Sequence, residues 1–92
     1  MIIKWNNAKA AANLQKHGVS FQVAAEALRD PNVFERLDLR EDYGEERVIA
    51  TARLELQILI IVYVEHEDHF RLVSARRANR HEQRDYYRQI GT

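Results

Sequence analysis

A chain of 92 residues with 46% apolar and 30% charged side chains has room for one small core, and the sequence predicts a single domain over residues 1–92. The absence of cysteine excludes disulfides, thiolate zinc sites and cysteine nucleophiles together, and fits a reducing, cytoplasmic setting. A formal net charge of zero hides a division: residues 1–70 carry 8 basic against 12 acidic side chains, whereas residues 71–92 carry 6 arginines against Glu82 and Asp85.

The longest apolar run, Ile58 to Val64, is far short of the ~20 residues that span a bilayer, so no membrane association is expected. The start of the chain does not read as a secretory signal.

Taken in order, Ile2, Ile3 and Trp5 read as a short edge strand. Asn6 or Asn7 is placed to cap a helix over the alanine-rich Ala8 to Lys16, with Gly18 just past its end in the left-handed position. Ser20 caps a second helix, on which Phe21, Ala24, Ala25 and Leu28 make one apolar stripe; Asp30-Pro31 ends it. Val33 to Leu39 reads as a weak strand, and Asp42, Tyr43 and Gly44 as a turn. Val48, Ala50, Ala52 and Leu54 alternate with Arg47, Ile49, Thr51 and Arg53, the pattern of a half-buried strand.

Leu56 to Val64 is almost wholly apolar and reads as a central strand covered on both faces. His66 to His69 is polar enough for a hairpin tip, and Phe70 and Leu72 alternate with Arg71 and Val73 beyond it. Asn79 with Glu82 forms a capping-box signature for a last helix packing through Tyr86, Tyr87 and Ile90. The predicted order is β-α-α-β-β-β-β-α: an α+β fold with a small, mainly antiparallel sheet, two N-terminal helices and one C-terminal helix.

The arginine-rich end suggests an anionic partner, since guanidinium forks match phosphate oxygens in pairs; a solvated helix face with local ion pairs is the competing reading. No helix-turn-helix pattern is evident, which disfavours a duplex-DNA reader.

Four stretches occur in order along the chain: Trp5 with Lys9, Asn13 and Lys16-His17-Gly18-Val19-Ser20-Phe21; Asp30-Pro31; Gly44-Glu45-Glu46-Arg47; and Arg71 to Ala78 leading to Glu82, Arg84 and Tyr87. Together they resemble the BrnT family of toxin ribonucleases from bacterial type II toxin–antitoxin systems. The resemblance implies a compact RelE-like fold and an endoribonuclease that cleaves mRNA and blocks translation. It also implies a cognate BrnA-like antitoxin that supplies DNA binding within a toxin–antitoxin hetero-oligomer. The chain departs from the family pattern at Asn6, usually aspartate, and at Glu65-His66-Glu67-Asp68, where the family often carries an arginine near the hairpin. The altered hairpin motivates an alternative function, a catalytically inactive toxin-like module that only binds its antitoxin.

RNA brings its own nucleophile, the 2′-hydroxyl, so cleavage needs no metal and no cofactor, only positive charge at the phosphate and a proton donor and acceptor. Arg76 and Arg77, read as following a strand and preceding a helix N-terminus, are the expected catalytic cations. The alternative is that one of them bridges to Glu82 or Asp85. Arg71, Arg80 and Arg84 are candidate RNA contacts. His66 at the hairpin is a candidate acid or base, with Glu67 as base; His69 and Glu82 are further options. His17, before Gly18, reads as a helix cap or a buried hydrogen-bonding group. Metal binding by His66 to His69 is disfavoured, because neighbouring strand residues alternate faces and no third histidine is suitably spaced. Trp5 and the tyrosines could stack on bases, although Tyr86 and Tyr87 are in register with Ile90 and read as core.

Overall fold

A computed structural model describes residues 1–91. The elements are β1 (Ile3–Lys4), α1 (Asn7–His17), α2 (Phe21–Ala27), β2 (Phe34–Leu37), β3 (Val48–Leu54), β4 (Gln57–Glu65), β5 (Phe70–Arg77) and α3 (Arg80–Gln89). They build one five-stranded sheet in the order β1-β5-β4-β3-β2. All neighbours are antiparallel except β1, which runs parallel to β5. The α+β class and the order of elements are those expected. No helix is long and apolar enough to cross a membrane among the described residues.

The helix boundaries follow local chemistry. Asn6 Oδ1 accepts from the Lys9 N–H at 3.0 Å, and Ser20 Oγ from the Val23 N–H at 3.1 Å. Gly18 ends α1 at φ 71°, its N–H donating to the Leu14 carbonyl, in a conformation that costs glycine little. Asn79 and Glu82 form the expected capping box, each side chain bonding the other residue's N–H.

β4 is buried on both faces. Leu59, Ile61 and Tyr63 pack with Ala50, Ala52, Leu72 and Ala75 beneath α1 and α2, where Phe21, Ala24, Ala27 and Leu28 are buried. Ile58, Ile60 and Val62 face the other way and pack with Ile49, Ala78 and Tyr86 under α3. Of seven consecutive buried residues, six therefore divide equally between two cores. Leu56 is not part of this strand: it stands exposed in the tight turn after Glu55, which adopts φ 55°. The strand after Pro31 is likewise shorter than Val33 to Leu39.

Trp5 and Tyr63 are structural. Trp5 packs edge-on against Phe21 with ring centroids 6.1 Å apart. Tyr63 is buried, stacks on Phe70 at 4.4 Å and donates its hydroxyl to Glu35. Tyr86 is fully buried, and its hydroxyl donates to Asp30 Oδ2 at 2.5 Å. The same carboxylate accepts the Asn32 and Arg53 N–H groups at 2.9 and 2.8 Å, tying the end of α2 to β3 and α3. Partial burial opposes ionisation of Asp30, but these hydrogen bonds and the Arg53 charge outweigh it and hold its pKa below the usual value.

Two devices position β5. The pairing of β4 with β5 slips between Val62–Ser74 and Tyr63–Leu72, leaving Val73 as an extra, bulged residue. The bulge sends Leu72 into the core under α1 and α2, while Arg71 shares the α3 face of the sheet with Ser74 and Arg76. The second device is Asn13, a buried amide on α1. Its Nδ2 donates to the Val19 and Ala75 carbonyls at 2.9 Å each, and its Oδ1 accepts the Ala75 N–H at 3.0 Å. This fastens α1 along the outer edge of β5.

Candidate functional site

α3 covers only part of its sheet face. Beside it lies a cavity of about 230 Å³, with Ile49, Ile60 and Val62 as an apolar floor. Its walls are Ser74 and Arg76 from β5, Arg36 from β2, Arg40 from the β2–β3 loop and His17 from the end of α1. Each wall has a local cause. The bulge and the pleat put Ser74 and Arg76 on one face. Strand alternation puts Arg36 on the same face as Phe34, which stacks on Tyr86 under α3. Asn13 anchors α1, and His17, four residues on, lies on the same side of the helix and lines the cavity with Ser74.

The arginines are oriented. Arg76 Nη1 and Nη2 donate to the two Glu82 carboxylate oxygens at 2.8 Å each, and Nη1 also donates to the Arg77 carbonyl at 3.2 Å. Three of its five N–H donors are thereby used. The Nε–H and the remaining Nη2–H, parallel along one edge of the guanidinium, have no partner among the described residues. Arg40 is held the opposite way round: Nε and Nη2 donate to Asp38 Oδ1 and Oδ2 at 2.8 Å each, which leaves its terminal Nη1/Nη2 fork open. The Arg40 side chain is 72% exposed and the Asp38 side chain 1%. Asp38 also accepts the Tyr43 hydroxyl at 3.1 Å and the Arg40 N–H. The Arg40 hydrogen bonds hold Asp38 far below the usual carboxylate range despite its burial.

Charge in the cavity is uneven. The Arg76 hydrogen bonds, with the Asn79 N–H and the Arg76 and Arg36 charges, keep Glu82 ionised against partial burial. Its carboxylate in turn raises the Arg76 pKa, whereas the nearby Arg40 charge works against Arg76. Three guanidinium groups and one carboxylate thus converge on an apolar floor. Positive charge outweighs negative among these side chains, so the open donor edges favour an anion there.

The expected site residues are distributed differently from the sequence reading. Arg76 and Arg77 do not follow β5; they are its last two residues and point to opposite faces. Arg76 lines the cavity. Arg77 is exposed on the other side, its side chain without a partner among the described residues. The alternative of a bridge to Glu82 holds for Arg76. Arg71 shares the cavity's sheet face but is engaged by Glu45, Nη2 to both carboxylate oxygens at 2.8 Å. Arg80 and Arg84 are exposed on α3 and do not line the cavity.

His66 and Glu67 are not brought to the arginines. They line a separate groove of about 410 Å³ with Leu37, Glu46, Val48 and Glu65. The His66 ring stacks on His69 at 4.5 Å, and His69 Nδ1 is 2.8 Å from Asp68. No group of three or more His, Asp or Glu side chains suited to a metal ion is present among the described residues.

Four polar cavity residues, His17, Arg36, Arg40 and Ser74, were not in the sequence-based set. His17 is half-buried and makes no side-chain hydrogen bond among the described residues; Gly18, not the imidazole, caps α1. Its i, i+4 spacing from the buried Asn13 places it on the same side of α1. Arg36 was readable from alternation with Phe34 in β2. Arg40 lies in a loop, and no periodicity announces its pairing with Asp38.

The family model described as "Ribonuclease toxin, BrnT, of type II toxin-antitoxin system" matches residues 5–82. The comparison with curated proteins gave no match. The match covers Asn13, His17, Arg36, Arg40, Ser74, Arg76 and Glu82, and the chain belongs to this family of type II ribonuclease toxins.

Proposed function

We propose that this BrnT-family chain, when free of antitoxin, cleaves single-stranded mRNA and thereby halts translation, with the arginine cavity as its metal-independent active site. The observation that carries the reading is the pair of open guanidinium edges, on Arg76 and Arg40, beside a half-buried imidazole without a hydrogen-bond partner among the described residues.

In the proposed reaction the scissile phosphate sits between the Arg76 and Arg40 forks, with Arg36 adding charge. The ribose 2′-oxygen attacks phosphorus and loses its proton to a base. The bond to the 5′-oxygen breaks, and that oxygen takes a proton, leaving a 2′,3′-cyclic phosphate and a 5′-hydroxyl. The arginines stabilise the charge that builds on the non-bridging oxygens. His17 is assigned one of the two proton transfers, since an imidazole serves as acid or base near neutral pH. Ser74, at the rim beside His17, offers a hydroxyl to the same phosphate. The apolar floor gives a ribose or base face a place to rest.

Incubation of antitoxin-free protein with RNA, beside an Arg76→Ala variant, tests the proposal. Cyclic-phosphate products from the parent alone are the expected result. Intact RNA with the parent protein would leave the competing reading, a module that only binds antitoxin and whose Arg76 is permanently occupied by Glu82.

A further inference from the structure

The two edges of the sheet are treated differently. On one side β1 covers Phe70 and Arg71, and the Asn13 amide takes both the N–H and the carbonyl of Ala75. On the other side, β2 ends the sheet with nothing paired to its outer edge among the described residues. Which of its backbone groups point outward follows from the register. Asp38 N–H donates to the Arg47 carbonyl at 2.8 Å, continuing the β2–β3 ladder. Antiparallel pairs alternate between hydrogen-bonded and non-hydrogen-bonded, so Phe34 and Arg36 bond inward to β3 while Glu35 and Leu37 turn their N–H and C=O groups outward.

The side chains along that edge are two-faced. Arg36 lies on the cavity face, with Arg40 beyond it. On the other face Leu37 is 48% exposed, and it lines the groove that Glu46, Glu65 and Glu67 make acidic. Leu39, just past the strand, is 84% exposed.

We propose that an extended segment of the antitoxin adds to the sheet as a strand along β2, bonding the outward groups of Glu35 and Leu37. Its side chains alternate, as a strand requires: carboxylates on the cavity face reach Arg36 and Arg40, and apolar and basic side chains on the other face meet Leu37 and the acidic groove. Strand addition and exclusion of RNA are then one event, because the same carboxylates occupy the donor edges that a phosphate needs. The inference rests on the antitoxin part of the reading above, not on its account of cleavage.

The test uses the protein encoded beside this chain's gene, co-expressed and purified as the complex. In the free chain the Glu35 and Leu37 amides exchange with solvent rapidly, while Arg36 is protected; in the complex both become protected. Leu37→Pro removes one outward N–H without disturbing the bonds to β3, a position where an edge strand accepts proline. It weakens the complex by about ten- to a hundredfold, the loss of a backbone bond whose partner is left buried and unpaired. It leaves RNA cleavage by the free chain within about threefold of the parent, since Leu37 lies outside the cavity. A complex in which Glu35 and Leu37 remain unprotected, or in which Leu37→Pro binds as tightly as the parent, overturns the proposal. A parent chain that cleaves no RNA yet shows the protection and the Leu37→Pro loss refutes the cleavage reading and keeps this one.

Discussion

Replacing Arg76 by lysine separates the geometry of its guanidinium from its charge. In the folded protein three of the five N–H donors are fixed by Glu82 and the Arg77 carbonyl, and two remain as a parallel pair without a partner among the described residues, on a side chain that lines the cavity. A lysine ammonium carries the same charge but only three donors on a flexible stem, with no second edge. Paired with Glu82, it has no fixed fork left for a phosphate. Loss of one preorganised donor to a developing oxyanion typically costs about 10²- to 10³-fold in rate, roughly 2.7–4 kcal/mol. Arg76→Lys is therefore expected to slow cleavage about 10²-fold, and Arg76→Ala about 10³-fold, since alanine loses the charge as well. The assay is single-turnover cleavage of a short RNA by antitoxin-free protein, with cyclic-phosphate product quantified. Circular dichroism and Tm on each variant confirm that β5 and α3 remain folded. If Arg76→Lys cleaves within about threefold of the parent, the oriented edge does not matter and the argument from donor geometry is wrong.

Arg77→Ala and His66→Ala are expected to leave cleavage within about threefold, because neither side chain lines the cavity; a loss comparable to Arg76→Ala in either would move the site elsewhere. His17→Asn is expected to slow cleavage about 10²- to 10⁴-fold; a variant that cleaves within about threefold of the parent would remove His17 from the chemistry. Asp30 and Glu82 have depressed pKa values in the folded state, so the stability they contribute is present above the unfolded carboxylate range near pH 4 and is lost as pH falls through the lower folded values. Tm should hold from about pH 7 to 5 and fall below about pH 4, and Asp30→Asn should lower the neutral-pH Tm while flattening the acid decline.

What the sequence disclosed was set by how local each interaction is. The caps at Asn6, Ser20 and Asn79 and the left-handed Gly18 depend on residues within four positions, and each appears where its pattern placed it. β4 was legible because both of its faces are buried, which a run of seven apolar residues reports directly. The site was less legible, because it depends on relations between strands. The spacing from Leu72 to Ala75, three residues where a regular strand would place two or four, was the trace of a bulge that decides which face carries Arg71 and Arg76. Ending the strand before Arg76 merged Arg76 and Arg77 into one site; continuing it to Arg77 separates them by the ordinary pleat. The hairpin histidines form a row of titratable groups, yet a row along the chain says nothing about which groove it faces. His17 is obscured for the opposite reason: at a helix end, a local capping role accounts for a histidine without any site.

The zero net charge, which weighs against a nucleic-acid partner when read over the whole chain, loses that force at the scale of single donors. Arg40 is matched by Asp38, Arg71 by Glu45 and Arg76 by Glu82. Each carboxylate cancels a unit of charge at long range, and at 0.15 M ionic strength fields beyond about 8 Å are screened in any case. At contact range the same carboxylates do the reverse of neutralising. By fixing one edge of Arg40 and another of Arg76, they remove the rotamer freedom that a phosphate would otherwise have to freeze, and they leave the other edges free on two side chains that line one cavity. An anion arriving there meets donors already aimed, a condition under which hydrogen bonds favour a transition state over its ground state. The arrangement also explains why a neutral protein can be both a phosphate site and a target for an acidic segment: what each ligand reads is the open side of a guanidinium whose other side the fold has already occupied.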